Sequence, residues 1–158
     1  MNMKMKQYFL LITLLILSAH STSTSAKINI VPKMYMFGFA ASFSDTIVHF
    51  TDIQAIDSVC IDSKTRFMSG RENYSYQLRD YLANKMQMPH RTCVVFYNEK
   101  REKLEKEYLK MKRIYTTGKK KSKKKDLQSK SHYDIREILS SDFKFQTVDM
   151  RGVYNGNE

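Results

Sequence analysis

Cysteine is scarce in this chain, with two among 158 residues, Cys60 and Cys93. That scarcity excludes a small scaffold stapled by several disulfides. Glycines number five and are dispersed, so the sequence has no glycine-rich phosphate loop, dinucleotide fingerprint or G-x-S-x-G elbow. No His, Cys, Asp or Glu residues stand at C-x-x-C or H-E-x-x-H spacing, so neither a metal nor another cofactor is expected. Beyond Leu17 no apolar run approaches the roughly 20 residues that a membrane span requires, and no internal repeat is present.

What the N-terminus does have is order in its composition. Lys4 and Lys6 precede an apolar run from Tyr8 to Leu17, and Ser18–Ala26 turns small and polar. This is the three-part layout of a secretory signal peptide over residues 1–26. Cleavage is expected after Ala26, with Thr24 at −3; Ser21, with Ala19, is the alternative. The first cysteine is Cys60, too late for a lipid-modified N-terminus. The expectation is a small exported bacterial protein, periplasmic or extracellular, without a transmembrane anchor once the leader is removed.

Charge is uneven along the chain. The formal net charge is +11, and loss of Lys4 and Lys6 with the leader lowers it to +9. Lys119, Lys120, Lys121, Lys123, Lys124 and Lys125 account for six of those charges. The remainder is only mildly basic, so the high pI describes one segment. Residues 117–131 contain a single large apolar side chain, Leu127, and read as a mobile solvated loop.

Between leader and tail, residues 27–150 read as a single domain. Met34–Phe43 alternates, with Tyr35, Phe37, Phe39, Ala41 and Phe43 on one side, and pairs as a hairpin with Thr46–Ile53. Gly38 inside that strand marks a bulge or a close backbone approach. Ala55–Asp62 fits either a third strand or the tail of the second. Ser69–Glu72 has capping-box spacing, and Tyr74, Leu78, Tyr81 and Leu82 recur at helical intervals up to Pro89. Thr92–Tyr97 is a strand whose adjacent Val94 and Val95 suit cover on both faces. Asn98 then opens a helix carrying Leu104, Tyr108, Met111 and Tyr115 on one stripe. Ile135, Ile138 and Leu139 predict a short helix, Phe143–Met150 a last strand, and 151–158 a frayed tail. The order β-β-α-β-α-(α)-β predicts an α/β (α+β) two-layer sandwich. In it a small mixed sheet carries its helices mainly on one face.

Candidate chemistry is sparse. Cys60 and Cys93 can form one disulfide in an exported chain. His90, Cys93 and Asp52 are the candidate groups of a thiol-dependent or hydrolytic enzyme, provided that they converge in one pocket. His49 is expected to be half-buried and hydrogen-bonded, and the tyrosines at 74, 76 and 81 cannot all face inward. The lysines at 119–125 are the candidate contact for polyanions. For an exported chain these are phospholipid headgroups, lipopolysaccharide or acidic glycans rather than nucleic acid, because the tract lacks interleaved aromatics. A binding or envelope-associated accessory module, with an unknown protein or anionic envelope component as partner, is the functional expectation. The end of the Leu104–Tyr115 helix, where the chain enters the lysines, is the place to look for its surface.

Overall fold

Alternation along Met34–Ala41 builds two different surfaces into one strand. The computed structural model, which describes residues 28–117 and 133–150, places this segment in the strand β1 (Ile28–Ala41). Met34, Met36 and Ala40 are buried on one side, Phe37 and Phe39 on the other. Successive side chains of a strand point to opposite faces, so a strand buried on both must lie inside a covered sheet.

β1 pairs along both edges. On one, β4 (Thr92–Asn98) runs antiparallel, from Tyr35 opposite Asn98 to Ala41 opposite Thr92. On the other, β2 (Ile47–Thr51) and β3 (Gln54–Asp62) follow one another, with Phe39 opposite Phe50 and Met36 opposite Gln54. Between those two pairs Thr51, Asp52 and Ile53 face only Phe37 and Gly38, which is a β-bulge. β2 and β3 are thus one strand bent at its middle. The Thr51 hydroxyl accepts the Gly38 N–H at 2.8 Å, satisfying a donor where the ladder is interrupted. Outside β2 lies β5 (Asp134–Ile138), parallel to it, with Val48 opposite Ile135. The Asp52 amide prolongs that pairing by donating to the Ile138 carbonyl at 3.1 Å.

Two helices make the connections. α1 (Arg71–Asn84) carries the chain from β3 to β4, and α2 (Arg101–Thr117) carries it from β4 back across the sheet to β5. β3, β4 and β5 all oppose β1 in direction and so are mutually parallel. Crossovers between parallel strands are right-handed, and two such crossovers travelling in opposite directions put their helices on opposite faces. The packing has that arrangement. Tyr74, Leu78 and Leu82 of α1 pack with Met34, Met36 and Ala40, whereas Leu104, Tyr108, Met111 and Tyr115 of α2 pack with Phe37, Phe39 and Phe50.

The α+β class and the mixed sheet are therefore as expected, and the helix stripes are those read from spacing. The layering is not: one helix covers each face, because the chain reverses its direction across the sheet between the two crossovers. The segment at Ile135–Ile138 is a strand and not a short helix, its apolar spacing also fitting a strand docked on β2. Phe143–Met150 forms no regular strand. Its backbone is held by side chains instead: Gln54 bonds the Phe143 carbonyl and the Phe145 amide, Gln77 bonds both backbone groups of Gln146, and the Tyr74 hydroxyl accepts the Val148 amide. Phe143 and Phe145 still enter the α1-side core. The N-cap of α1 is Gly70, with φ of 70°, and not Ser69.

Cys60 and Cys93 are both free thiols. Cys60 stands opposite Ile30 and Cys93 opposite Ala40 on the other edge of β1. Ten strand residues separate those positions, about 33 Å at the usual rise, whereas a disulfide needs Cα atoms within about 7 Å.

Gly38 lies where the bulge, α1 and the terminal segment meet. A Cβ there would sit 2.6 Å from Leu78 Cδ2, 3.1 Å from Phe145 Cζ and 3.2 Å from Thr51 Cγ2. Gly38→Ala is predicted to destabilise the fold by about 1–3 kcal/mol through overpacking, measured as a lowered urea midpoint. An unchanged midpoint would show that α1 does not rest on the bare backbone at this point.

Candidate functional site

The three candidate catalytic groups occupy different places. Cys93, on β4, sits with the α1-side core, half-buried, its Sγ 3.8 Å from the Arg91 carbonyl. Burial pushes its thiol up to about 11, outweighing the opposing pull of Arg79 and Arg91. It is therefore protonated at neutral pH and a poor nucleophile. His90 is exposed in the loop before β4, with φ of 64°. Asp52 sits at the bulge and accepts from Ser140, at 2.8 Å from the amide and 2.9 Å from the hydroxyl. It borders an open cleft of about 450 Å³ beside α2, with Arg101, Glu105 and Tyr108. Among the described residues no hydrogen bond joins any two of these groups, and none of His, Cys, Asp and Glu gather into a metal-holding set. The leader at 1–26, the lysines at 119–125 and the tail at 151–158 lie outside the described residues.

A polar cluster missed from sequence sits near the β1–β2 turn on the α1 side. The pairing register lines up Cys93, Ala40, His49 and Arg136 across four strands. His49 is 1% exposed, and neither ring nitrogen meets a hydrogen-bond partner among the described residues, in contrast to the half-buried, bonded histidine expected. Burial, then the charges of Arg91 and Arg136, lower its pKa to about 4. The buried Arg91 guanidinium donates to the Ile47 carbonyl at 2.8 Å and to Asp45 Oδ2 at 2.6 Å. It staples the turn between β1 and β2 to the start of β4.

That stapled turn presents a surface. The Ser42 hydroxyl accepts the Ser44 amide at 3.2 Å and Asp45 Oδ1 accepts the Ile47 amide at 2.9 Å. Phe43 is held at the apex, fully exposed, although its place in the alternation put it with the inward aromatic residues. Pairing ends at Ala41, and no helix or strand among the described residues covers Phe43. Beside it lies a pocket of about 280 Å³ floored by Phe39, Ala41, Thr92 and Val94 and walled by Tyr115 and Tyr133. The Tyr115 ring centroid is 5.0 Å from that of Phe39 and 5.0 Å from that of Tyr133, an aromatic row continuous with the α2-side core. Burial and the adjacent Tyr133 hold the Tyr115 phenol above its ordinary range.

Tyr115 and Tyr133 matter for a second reason. They are the described aromatics on either side of residues 118–132, in which the six lysines lie. The end of α2 was the place singled out from sequence, and the aromatic pocket is there. The three tyrosines of α1 do not all face inward. Tyr74 is buried, Tyr81 packs on Phe143, and only Tyr76 is exposed, its ring covered by Arg79 at 4.5 Å. Among the described residues no helix is long and apolar enough to cross a membrane.

The buried histidine gives a pH dependence. With a folded pKa near 4 against 6.5 unfolded, only the unfolded chain binds this proton between those values, so the stability present above pH 6.5 is lost as pH falls toward 4. The loss is about 3 kcal/mol at full extent. Denaturant unfolding at pH 7.5, 5.5 and 4.5 should show it in the native sequence, and His49→Gln should flatten that slope. Parallel profiles would contradict the assignment.

Comparison with known proteins leaves the pocket to be interpreted on its own chemistry: no protein-family model matches the sequence, no curated protein matches it, and no solved structure matches its fold.

Proposed function

We propose that this protein is an exported, non-enzymatic binding module that attaches peripherally to an anionic phospholipid surface through Phe43, the neighbouring aromatic pocket and the lysines between Tyr115 and Tyr133. The observation that carries the reading is Phe43, fully exposed at the tip of a turn pinned by Asp45 and Arg91. A turn anchored through Asp45 to the buried Arg91 guanidinium, and holding an apolar ring in water, makes sense if the ring has an apolar destination. A bilayer supplies both hydrocarbon for Phe43 and negative charge for Lys119–Lys125. An acidic glycan supplies only the charge, which favours the lipid.

Magnitudes are adequate for reversible attachment. Each lysine near an anionic leaflet contributes about 1 kcal/mol, and transfer of one phenylalanine ring from water about 2 kcal/mol. Six lysines and one ring thus reach about 8 kcal/mol, corresponding to roughly micromolar affinity, and the ionic part weakens as salt screens it. The aromatic walls of the pocket suit the interfacial zone, where tyrosine is favoured for its apolar body and polar tip. The three candidate catalytic groups, held apart, give the enzymatic reading no site.

The test is sedimentation of the full chain with anionic and with zwitterionic vesicles. Binding to the anionic vesicles only is expected, and it should be abolished by replacing all six lysines with glutamine. Phe43→Ser should weaken it by about tenfold or more with no change in unfolding midpoint. Equal binding by all three proteins would overturn the proposal, as would tighter binding to a soluble acidic polysaccharide than to lipid.

A further inference from the structure

The sheet ends in two strands of opposite character. β5 is the outer strand on one side, and its five residues include Asp134, Arg136 and Glu137. Charges on an edge strand are a common device against pairing with another chain. β4 is the outer strand on the other side, and its sequence Thr-Cys-Val-Val-Phe-Tyr-Asn contains no charge, proline or glycine. It pairs with β1 over all seven residues, and among the described residues no strand pairs with its outer edge. In an antiparallel ladder every second residue directs both its N–H and C=O away from the existing partner. Among the described residues the β4 edge therefore offers a row of outward backbone donors and acceptors with no strand against it, on a strand without a charged side chain.

From this we infer that β4 pairs antiparallel with β4 of a second copy, continuing the sheet through a two-fold axis. The occupant follows from the strand itself. Reading outward from Val95, apolar Val94 and Phe96 come first, then Cys93 and Tyr97, then polar Thr92 and Asn98. With the axis at Val95, Val94 of one copy lies opposite Phe96 of the other and Thr92 opposite Asn98, so apolar meets apolar and polar meets polar. A two-fold interface requires this kind of self-complementarity. Charge is compatible with this pairing: no β4 residue is charged, so two copies approach along this strand without like charges facing each other. The second copy's Phe96 would also stand beside Val94 on the α2 face, adding an aromatic neighbour at the margin of the pocket.

Sedimentation equilibrium of the full chain across a range of concentrations, with amide hydrogen exchange on the same samples, tests the inference. The expected result is a dimer whose outward β4 amides are protected, and exchange at least about tenfold faster on dilution to the monomer. Val94→Lys, at a position already 39% exposed, should give a folded monomer with fast outward amides. Leu109→Lys, exposed on α2, should leave the dimer intact. A native chain that stays monomeric at every concentration overturns the inference whatever the variants do. So does a dimer that survives Val94→Lys or is broken by Leu109→Lys. Neither readout involves lipid, so the result is independent of the surface-binding proposal.

Discussion

The structure depends on one strand being buried on both faces while paired on both edges. β1 satisfies this by alternating methionine and alanine with aromatic residues, so that each face receives its own core. The aromatic face stacks Phe37 on Phe96 and sets Phe39 and Phe50 edge to face, with Tyr108 and Tyr115 of α2 closing over them. To the other face β1 contributes methionines and small residues, and α1 comes so close that Gly38 has no room for a side chain. The bulge at Asp52 is part of the same arrangement. It bends the partner strand, frees the Thr51 hydroxyl to bond Gly38, and gives Asp52 its contact to Ser140.

Local pattern made much of this legible. Period-two alternation identified β1, helical spacing identified both stripes, and an interior glycine marked the bulge. What pattern does not carry is the order of strands across the sheet. The two helices were assigned to one face because hydrophobic stripes record that a face is covered, not which. Only the reversal of direction between the β3–β4 and β4–β5 crossovers decides it. Ile135–Ile138 and Phe143–Met150 failed for a related reason. Short apolar runs take whatever conformation their docking site permits: the first found a free strand edge on β2, the second found Gln54, Gln77 and Tyr74 in place of a strand.

The candidate site was half legible. Its position, where α2 passes into the lysines, followed from charge and helix register. Its aromatic component did not, because Phe43 continues the alternation of β1 by one residue past the last paired position, and sequence cannot show where pairing stops. Nor was the buried cluster of His49 and Arg91 visible, since it is assembled from strands distant in sequence. The two features are joined: Arg91, through Asp45, fixes the turn on which Phe43 is displayed. The ion pair between the buried Arg91 guanidinium and the exposed Asp45 carboxylate thus connects the interior of the fold to the surface proposed to meet a membrane.

That connection can be examined with one probe. The chain contains no tryptophan, so Phe43→Trp creates a single fluorescent reporter at the tip of the turn. On addition of anionic vesicles its emission should shift to the blue and be quenched by lipids brominated in the upper acyl chain, as expected of an aromatic ring seated at the interface. Emission that remains that of a fully hydrated indole at saturating vesicle concentration would contradict the account.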